Sequence, residues 1–344
     1  MFSYDLPKER IAAWPVSLTR SRDESRLLHA VMRSEKDVKI QDRSFFELPG
    51  ILKRGDLLVL NNSAVLARRY FCTRIGDDYN FELLLSRQIE VDTWEAVGKP
   101  LAKLKEGDVL KLSPHLTATS QGRTQCGRRV VLRLEHSDHP DAIERELDEA
   151  GVMPIPPYIR DGVGESKDRE LYQTVYADKR GSIAAPTAGL HFTDLLLEKL
   201  ERAGIDHCFL TLHVGTASLT PIREGSRVDK EQYLVSTGTW DKIQEAKKDG
   251  RRVVAVGTTA VRALESTAKL KEFDRFVETE LFITPGFKFE VVDSLITNFH
   301  QPDSTHLQLV SAFLSPDCIE KIYQHGLGGE YRFLSYGDSM FLER

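Results

Sequence analysis

The chain has 344 residues, of which 41% are hydrophobic and 29% are charged, and its formal net charge is −5 at pH 7. This length favours two domains or one domain with a large insertion, and the lack of any run of about eighteen apolar residues excludes a membrane-spanning helix. The four cysteines (Cys72, Cys126, Cys208 and Cys318) lie far apart without a CxxC pair, which favours reduced thiols over disulfides or a zinc site. Because the first residues carry charge where a signal peptide needs an apolar run, we expect a cytoplasmic protein.

The first half of the chain predicts a small β-rich unit. Residues 53–60 carry a turn at Gly55 and Asp56 followed by an apolar run typical of a buried strand, and residues 105–112 repeat this pattern. From residue 67 to residue 135, short alternating runs are separated by glycine, aspartate and serine. This pattern predicts an all-β barrel or sandwich.

The same region is the most basic part of the chain. Between Lys99 and Glu135 there are eight bases and three acids, so this segment carries +5 and the remainder −10. A local basic face can neutralise phosphates although the whole protein is acidic. The alternative is that these side chains only cover solvent-facing strand positions.

Beyond the β-rich unit, the hydrophobic period becomes helical. Ile143, Leu147 and Ala150 share one helix face, and Gly151 has the position of the C′ residue that follows a helix end. Residues 153–158 contain three prolines, which predict a stiff extended linker.

The second half of the chain alternates strands and helices. Thr193 is predicted to cap a helix that ends at Gly204, and an apolar strand at residues 253–257 leads into a helix capped by Thr258 or Thr259. This alternation predicts an α/β fold with helices covering a mixed sheet.

The predicted fold class is therefore α/β (mixed α+β), with an inserted small all-β barrel or sandwich domain in a larger body. We expect residues 1–66 and 152–344 to form the α/β catalytic body. Residues 67–151 then form the β-rich insertion.

A first candidate for chemistry spans residues 172–176 and 181–192. Small residues there let the backbone approach a ligand closely, and Pro186 fixes the turn. His191 stands just before a helix start, whose positive dipole end favours a neutral imidazole. A single histidine beside a turn is also often purely structural.

A second candidate is the strand-to-helix junction at residues 256–262. Free N–H groups at a helix start suit a carboxylate or phosphate, and Arg262 could hold a carboxylate through two hydrogen bonds. The junction lacks the GxGxxG and P-loop signatures of nucleotide sites and also fits an ordinary βα turn.

Two further candidates lie near the end of the chain. Asn298, Phe299 and His300 follow an apolar strand and suit a pocket for a flat heterocycle. Residues 331–340 are rich in aromatics, and Asp338 could serve as a base, as a counter-ion or as a simple turn residue. Residue chemistry alone predicts only an α/β enzyme with a ligand pocket.

Taken together, these stretches resemble the S-adenosylmethionine:tRNA ribosyltransferase-isomerase family of queuosine biosynthesis. The runs at residues 185–192 and 335–338 are the most specific. The resemblance is collinear over nearly the whole chain and is carried by residues 4–7, 55–63, 67–68, 153–159, 172–176, 184–192, 212–215, 256–262, 282–292, 298–311 and 331–340.

The resemblance implies a two-domain enzyme and an unusual use of S-adenosylmethionine. The ribosyl part moves to 7-aminomethyl-7-deazaguanine at the anticodon wobble position of a tRNA and rearranges to epoxyqueuosine, releasing adenine and methionine. No metal or redox cofactor is implied. Because a sulfonium acidifies the ribose C5′ hydrogens, a base such as His191 or Asp338 could start the reaction. Asn298 or His300 could assist the departure of adenine, and the helix start at residues 258–262 suits the methionine carboxylate.

The site residues are carried over from the same matching blocks. The catalytic candidates are His191, Asp338 and His300. The substrate-binding candidates are Tyr172, Gln173, Tyr176, Pro186, Thr187, Gly189, Phe192, His213, Gly257, Thr258, Thr259, Arg262, Asn298, Phe299, Arg332 and Tyr336. The candidates for contact with tRNA phosphates come instead from the basic segment between Lys99 and Glu135, and they are Lys103, Lys105, Arg128 and Arg129.

The chain also departs from the family pattern. Residues 217–219 replace the usual Gly-Thr-Phe, and residues 226–231 replace His-x-Met-His-Ser-Glu, so two histidines are missing. Gln301, His306 and Gln308 stand where the family is usually apolar. These changes fit a divergent lineage with compensating residues such as Asp229, or a changed activity.

Two alternative functions remain open from the sequence. One is a divergent S-adenosylmethionine-using paralogue that acts on another substrate. The other is a non-catalytic RNA-binding relative, although RNA binding alone does not require the blocks at residues 186–192 and 298–300. A methyltransferase is disfavoured because the glycine-rich first-strand motif of that class is missing.

Overall fold

The computed structural model describes residues 2–125, 127–215 and 230–344. Their contacts divide the chain into two compact units. The first contains Met1–Ala64, Tyr158–Arg160 and Leu171–Arg344, and the second contains Val65–Pro157 and Asp161–Glu170. Residues 152–157 and 161–170, which the sequence pattern assigns to the α/β body, therefore belong to the second unit.

The regular elements alternate as the sequence predicts. The strands in the described ranges are β1 Arg26–Ser34, β2 Asp37–Ser44, β3 Leu57–Asn61, β4 Ser63–Val65, β5 Arg69–Arg74, β6 Asn80–Glu90, β7 Thr93–Lys99, β8 Val109–Lys111, β9 Leu116–Arg123, β10 Val130–His136, β11 Lys179–Ser182, β12 Asp206–Leu212, β13 Glu231–Leu234, β14 Val253–Val256, β15 Val277–Thr279, β16 Ser294–Asn298 and β17 Ser339–Glu343. The α-helices there are α1 Leu48–Ile51, α2 Ile143–Ala150, α3 Asp168–Leu171, α4 Asp194–Arg202, α5 Thr237–Lys248, α6 Thr258–Leu270, α7 Thr305–Phe313 and α8 Pro316–Gly328.

A mixed sheet forms the centre of the first unit. Its described strands number nine, in the order β15-β13-β12-β3-β14-β16-β17-β1-β2. β12, β3, β14 and β16 are parallel neighbours, whereas the pairs β12–β13, β16–β17 and β1–β2 are antiparallel. All five residues of β3 are buried, as expected for a strand covered on both faces. The predicted α/β body is confirmed.

Helix starts in the first unit depend on local side-chain hydrogen bonds. The Thr193 hydroxyl accepts from the Leu196 N–H (3.0 Å) and caps α4 as predicted. The expected threonine cap of α6 is wrong: the N-cap is Gly257, with φ of 89°, and α6 begins at Thr258. Glycine adopts this positive φ readily, whereas a threonine in the same backbone conformation would be strained.

The second unit is a closed six-stranded barrel in the order β10-β7-β6-β5-β8-β9, counted over its described strands. Inward-facing apolar residues, among them Tyr70, Leu83 and Trp94, fill its core. Because the sheet closes on itself, the unit is a barrel and not a sandwich, the other arrangement that the sequence allowed.

The helix α2 ends at Gly151 for a reason that differs from the predicted one. Gly151 has φ of −71°, so it is not a left-handed C′ residue. A Cβ at this position would instead overlap the Ala67 carbonyl oxygen. Close backbone approach, rather than a positive φ, therefore requires glycine here.

None of the helices in the described ranges is long and apolar enough to cross a membrane.

Candidate functional site

Four neighbouring parallel strands end at the same edge of the main sheet. β12 ends at Leu212, β3 at Asn61, β14 at Val256 and β16 at Asn298. Ligands of open α/β sheets bind beyond the carboxyl ends of such strands. His213, Gly257 and Asn298, predicted from three separate stretches, are therefore brought to one edge.

His191 is buried at this edge, with only 5% of its surface exposed. It is the last residue of the 3-10 turn Thr187–His191. Its Nδ1 lies 2.8 Å from Ser25 Oγ, and its Nε2 lies 3.3 Å from Asn298 Nδ2. Burial, together with the positive charges of Arg332 and Arg22, lowers the pKa of His191 to about 3. The imidazole is therefore neutral at pH 7, which is the state of a proton acceptor.

Asn298 connects His191 to the aromatic segment near the end of the chain. Its Nδ2 donates to the Leu334 carbonyl oxygen (3.2 Å) and also faces His191 Nε2. Its Oδ1 is buried and has no hydrogen-bond partner among the described residues. The structure thus joins the stretches around residues 191, 298 and 334, which are far apart in sequence.

Asn61 belongs to this edge although the sequence does not single it out. Its Oδ1 accepts from the N–H groups of Leu212 (3.0 Å) and Ser63 (3.1 Å), and its Nδ2 donates to Thr259 Oγ1 (3.3 Å). Asn61 therefore ties β12 to the start of α6. The available signal was a polar residue at the end of the apolar run 57–60, inside one of the blocks that carry the family resemblance.

The start of α6 lies at the same edge. Gly257 donates its N–H to the Ile296 carbonyl oxygen (2.8 Å). It lies close to Ala188, since a Cβ added to Gly257 would be 3.7 Å from the Ala188 Cβ. Thr258 is buried and Thr259 is half-buried. No side chain caps the helix start, so its first-turn N–H groups suit a carboxylate.

Arg262 already has an ionic partner within the protein. Its guanidinium forms an ion pair with the buried Glu231 and donates through Nε to the Leu281 carbonyl oxygen (3.0 Å). Glu231 uses its other oxygen to accept from the Gly215 N–H (3.0 Å). This pairing favours a structural role for Arg262 over the bidentate grip on a substrate carboxylate that the sequence suggested.

Residues 172–192 pack tightly against one another. A Cβ on Gly189 would overlap the Tyr176 hydroxyl, which explains the glycine. The Tyr176 hydroxyl is itself buried without a hydrogen-bond partner among the described residues, and burial raises its pKa. The Tyr172 ring meets the Tyr336 ring edge-on, with centroids 5.8 Å apart.

The remaining candidates of this stretch support the turn. Pro186 is buried and is the N-cap of the 3-10 turn, and Thr187 is half-buried. The Gln173 carbonyl oxygen accepts from Arg22 (2.6 Å). Phe192 is fully buried, with its ring 5.0 Å from that of Phe45.

His213 follows β12 and is held between a glycine and an aromatic ring. It stacks on Phe276 with ring centroids 5.1 Å apart, and a Cβ on Gly181 would lie 2.7 Å from its Nε2. Burial lowers the pKa of His213 to about 4. Its buried Nδ1 has no partner among the described residues, so it could bind a polar ligand atom.

His300 and His306 form a stacked pair of imidazoles, with centroids 5.3 Å apart. His300 Nε2 lies 2.8 Å from Thr297 Oγ1. Burial and the neighbouring His306 lower the pKa of His300, and burial with the charge of Arg262 lowers that of His306 to about 4. Both rings are neutral at pH 7 and suit hydrogen bonding rather than the supply of a positive charge.

Both carboxylate oxygens of Asp338 accept hydrogen bonds from backbone N–H groups. Its Oδ1 accepts from the Arg26 N–H (3.0 Å), and its Oδ2 accepts from the Arg332 N–H (2.8 Å). Burial raises its pKa. The Arg332 side chain donates to the Trp14 carbonyl oxygen (3.1 Å). Asp338 therefore clamps β1 to the segment before β17, and its contacts favour this role over that of a base.

Phe299 packs in the core rather than facing an open pocket. It is fully buried, with its ring centroid 5.5 Å from Tyr323, 5.4 Å from Tyr331 and 4.7 Å from Phe333. These contacts occupy its faces and favour a packing role over stacking on a base.

The basic residues predicted to meet tRNA phosphates lie on the barrel. Lys103, Lys105 and Arg128 are exposed. Arg129 is half-buried, and its Nη1 lies 3.1 Å from Glu95 Oε2, so its charge is largely neutralised within the barrel. The other three side chains are better placed to meet phosphates.

The departures from the family at residues 217–219 and 226–229 lie outside the described residues. Within the described ranges, no group of three or more histidine, cysteine, aspartate or glutamate side chains is arranged to hold a metal.

Comparison with known proteins identifies the relatives of this chain. A family model described as queuosine biosynthesis protein matches residues 1–342. The S-adenosylmethionine:tRNA ribosyltransferase-isomerase of Halothermothrix orenii is 40% identical and that of Thermotoga maritima 41% identical, each over 99% of this chain and 98% of the relative. The crystal structure of the S-adenosylmethionine tRNA ribosyltransferase from Thermotoga maritima covers 99% of both chains, with 34% identity and a TM-score of 0.56.

Proposed function

The chain belongs to the queuosine biosynthesis protein family, and we propose that it is an S-adenosylmethionine:tRNA ribosyltransferase-isomerase. The reaction moves the ribosyl part of S-adenosylmethionine to 7-aminomethyl-7-deazaguanine at the wobble position of a tRNA. The product is epoxyqueuosine, with adenine and methionine released. Full-length relatives at about 40% identity support the enzyme over a changed activity or an RNA-binding role.

His191 is the proposed base. The observation that carries this assignment is its buried, neutral imidazole beside Asn298 at the carboxyl edge of the sheet. Removal of a proton from ribose C5′ leaves the electron pair on the carbon next to the sulfonium, and the proton passes to an imidazole nitrogen. Asp338 is the weaker candidate, because both of its carboxylate oxygens accept from backbone N–H groups that are fixed in the fold. His191 Nε2 instead faces the Asn298 amide, a side chain that can rotate away when substrate binds.

The other substrate groups have candidate partners at the same edge. The uncapped start of α6 suits the methionine carboxylate. Asn298 and His300 offer neutral hydrogen-bonding groups to the adenine that must leave. The exposed bases Lys103, Lys105 and Arg128 suit tRNA phosphates.

A reconstituted reaction tests this function. The purified protein is incubated with S-adenosylmethionine and a tRNA carrying 7-aminomethyl-7-deazaguanine, and adenine, methionine and the modified nucleoside are measured by mass spectrometry. We expect the three products in equal amounts, and a loss of about a hundredfold or more in rate for His191→Ala. Cofactor binding without epoxide would refute the proposed substrate, and full activity of His191→Ala would remove this residue as the base.

A further inference from the structure

The His191 ring has one polar neighbour at each nitrogen. Ser25 Oγ lies 2.8 Å from Nδ1, and Asn298 Nδ2 lies 3.3 Å from Nε2. Ser25 and Asn298 are each only 2% exposed. Because the three side chains are shielded from water, the protonation of the ring must match the hydrogen bonds that these neighbours can form.

The orientation of the Asn298 amide is set by a third group. The Leu334 carbonyl oxygen can only accept a hydrogen bond, so the amide nitrogen rather than the amide oxygen must face it. That nitrogen carries two hydrogens, and the second faces His191 Nε2. An amide nitrogen only donates, so Nε2 must carry the lone pair.

The position of the proton follows from this geometry. A neutral imidazole has one N–H, and with the lone pair on Nε2 the proton must be on Nδ1. Nδ1 then donates to Ser25 Oγ. The neighbouring charges agree with a neutral ring, because Arg22 and Arg332 are both positive and both oppose a second proton. Phe45 packs on the ring without adding charge.

We infer that Ser25 is a positioning residue that, together with Asn298, holds His191 as the tautomer with its proton on Nδ1 and its lone pair on Nε2. This inference rests on the proposed role of His191 as the base. Ser25 can accept from Nδ1–H both before and after Nε2 takes a proton, so it keeps the ring in place throughout the step.

The other side of the ring must adjust when Nε2 is protonated. An Nε2–H would face the amide hydrogens of Asn298, which is unfavourable. Rotation of the amide would bring its oxygen, which lacks a partner among the described residues, onto the imidazolium. That rotation gives up the hydrogen bond to Leu334. Asn298 therefore opposes protonation in the resting enzyme and provides an acceptor afterwards.

Nitrogen NMR of the free protein tests the inference without requiring turnover. The chain has ten histidines, so the ¹⁵N-labelled His191 signals are assigned by their loss in His191→Gln. At neutral pH, we expect an N–H signal from Nδ1 and a lone-pair signal from Nε2. Ser25→Ala leaves the buried Nδ1–H without its acceptor, so the Nδ1 signal should shift, and Ser25→Thr, which keeps the hydroxyl, should restore the wild-type pattern.

A second variant perturbs the opposite nitrogen. Asn298→Asp places an acceptor at Nε2, so we expect its signal to change to N–H and the pKa of His191 to rise.

The ribosyl-transfer assay tests the role of Ser25 in turnover. Ser25→Ala should lower kcat by about tenfold, with KM for S-adenosylmethionine unchanged within about twofold, and Ser25→Thr should recover the wild-type kcat. Circular dichroism and thermal melting confirm that each variant folds.

The outcomes separate this inference from the proposed function. A proton on Nε2 in the wild type, or a Ser25→Ala protein with an unchanged Nδ1 signal and an unchanged kcat, would overturn the inference. A wild-type protein that has its proton on Nδ1 but releases no adenine or methionine would instead refute the proposed function while supporting the assigned tautomer.

Discussion

Hydrogen-bond partners distinguish the candidate residues at the carboxyl edge of the main sheet. His191 contacts two side chains whose hydrogen bonds depend on its protonation, whereas Asp338 accepts from two backbone N–H groups that belong to the framework. The sequence supplied both residues as possible bases. It could not rank them, because Ser25 and Asn298, which contact His191, and Arg26, which binds Asp338, each lie more than a hundred residues from the side chain they contact.

The variant Asp338→Asn distinguishes a structural role of Asp338 from a role as the catalytic base. The amide would place its NH₂ group against one of the two backbone donors, so we expect the free energy of unfolding to fall by about 1–3 kcal/mol. Activity measured well below the melting temperature should fall by less than about tenfold. His191→Gln is the matched control, and we expect it to lose more activity and less stability than Asp338→Asn. A loss in Asp338→Asn as large as about a hundredfold, with normal stability, would make Asp338 the base.

For the helices, capping by a neighbouring side chain could be predicted from the sequence, whereas backbone conformation and close backbone contacts could not. Thr193 caps α4 as expected, because capping needs only the residue and the next turn of the helix. The N-cap of α6 differs from the predicted threonine because the backbone at residue 257 has a positive φ, which favours glycine. The reason for a glycine at residue 151 does not follow from local sequence, because it depends on the close approach of Ala67, which lies far from the end of α2 in the chain.

Gly151→Ala tests the close approach at the end of α2. Its methyl group would overlap the Ala67 carbonyl oxygen, and we expect a loss of about 1–3 kcal/mol in the free energy of unfolding by urea. Gly238→Ala is the matched control, because nothing lies within 4 Å of its added Cβ and alanine favours the helix α5. Equal stability of the two variants would contradict the proposed overlap.

For the whole molecule, the alternation of patterns along the chain was enough to predict an α/β body and a β-rich unit. The sequence could not choose between barrel and sandwich, because both use short alternating strands and differ only in whether the two outer strands pair. For Asn61 it offered only a weak signal, a polar residue at the end of an apolar run. That residue became evident only when β3, β12 and β14 were seen to end side by side.

Buried neutral histidines predict how stability depends on pH. The pKa values of His191, His213 and His306 are lowered to about 3, about 4 and about 4 in the folded protein, whereas an unfolded histidine has a pKa of about 6.5. Between these values the unfolded chain binds more protons. The stabilising effect is therefore complete above about pH 6.5 and is lost as the pH falls towards 4.

Urea unfolding at several pH values measures this loss. We expect the free energy of unfolding to fall from about pH 6.5 downwards, by up to about 1.4 kcal/mol per pH unit for each such histidine. His306→Leu, which cannot take up a proton, should flatten the slope. His139→Leu, a change at an exposed position of the second unit, is the control. A stability independent of pH between about 6.5 and 4 would contradict buried neutral rings.

We predict that binding of tRNA by this acidic protein relies on the local charge of its barrel. Arg128 is exposed, so Arg128→Glu should weaken binding of the substrate tRNA and lower the slope of log affinity against log salt by about one per lost phosphate contact. Arg129 is already paired with Glu95. Arg129→Gln should therefore change the slope less, while lowering the stability of the barrel.

Filter binding over a range of salt concentrations measures both effects. Lys248→Glu, a change of the same sign at an exposed position of α5 in the first unit, is the control for net charge alone. If Lys248→Glu weakens binding as much as Arg128→Glu does, the total charge controls affinity. If neither changes the slope, the basic segment of the barrel does not contact phosphates. A specific effect of Arg128→Glu would assign the barrel to tRNA recognition.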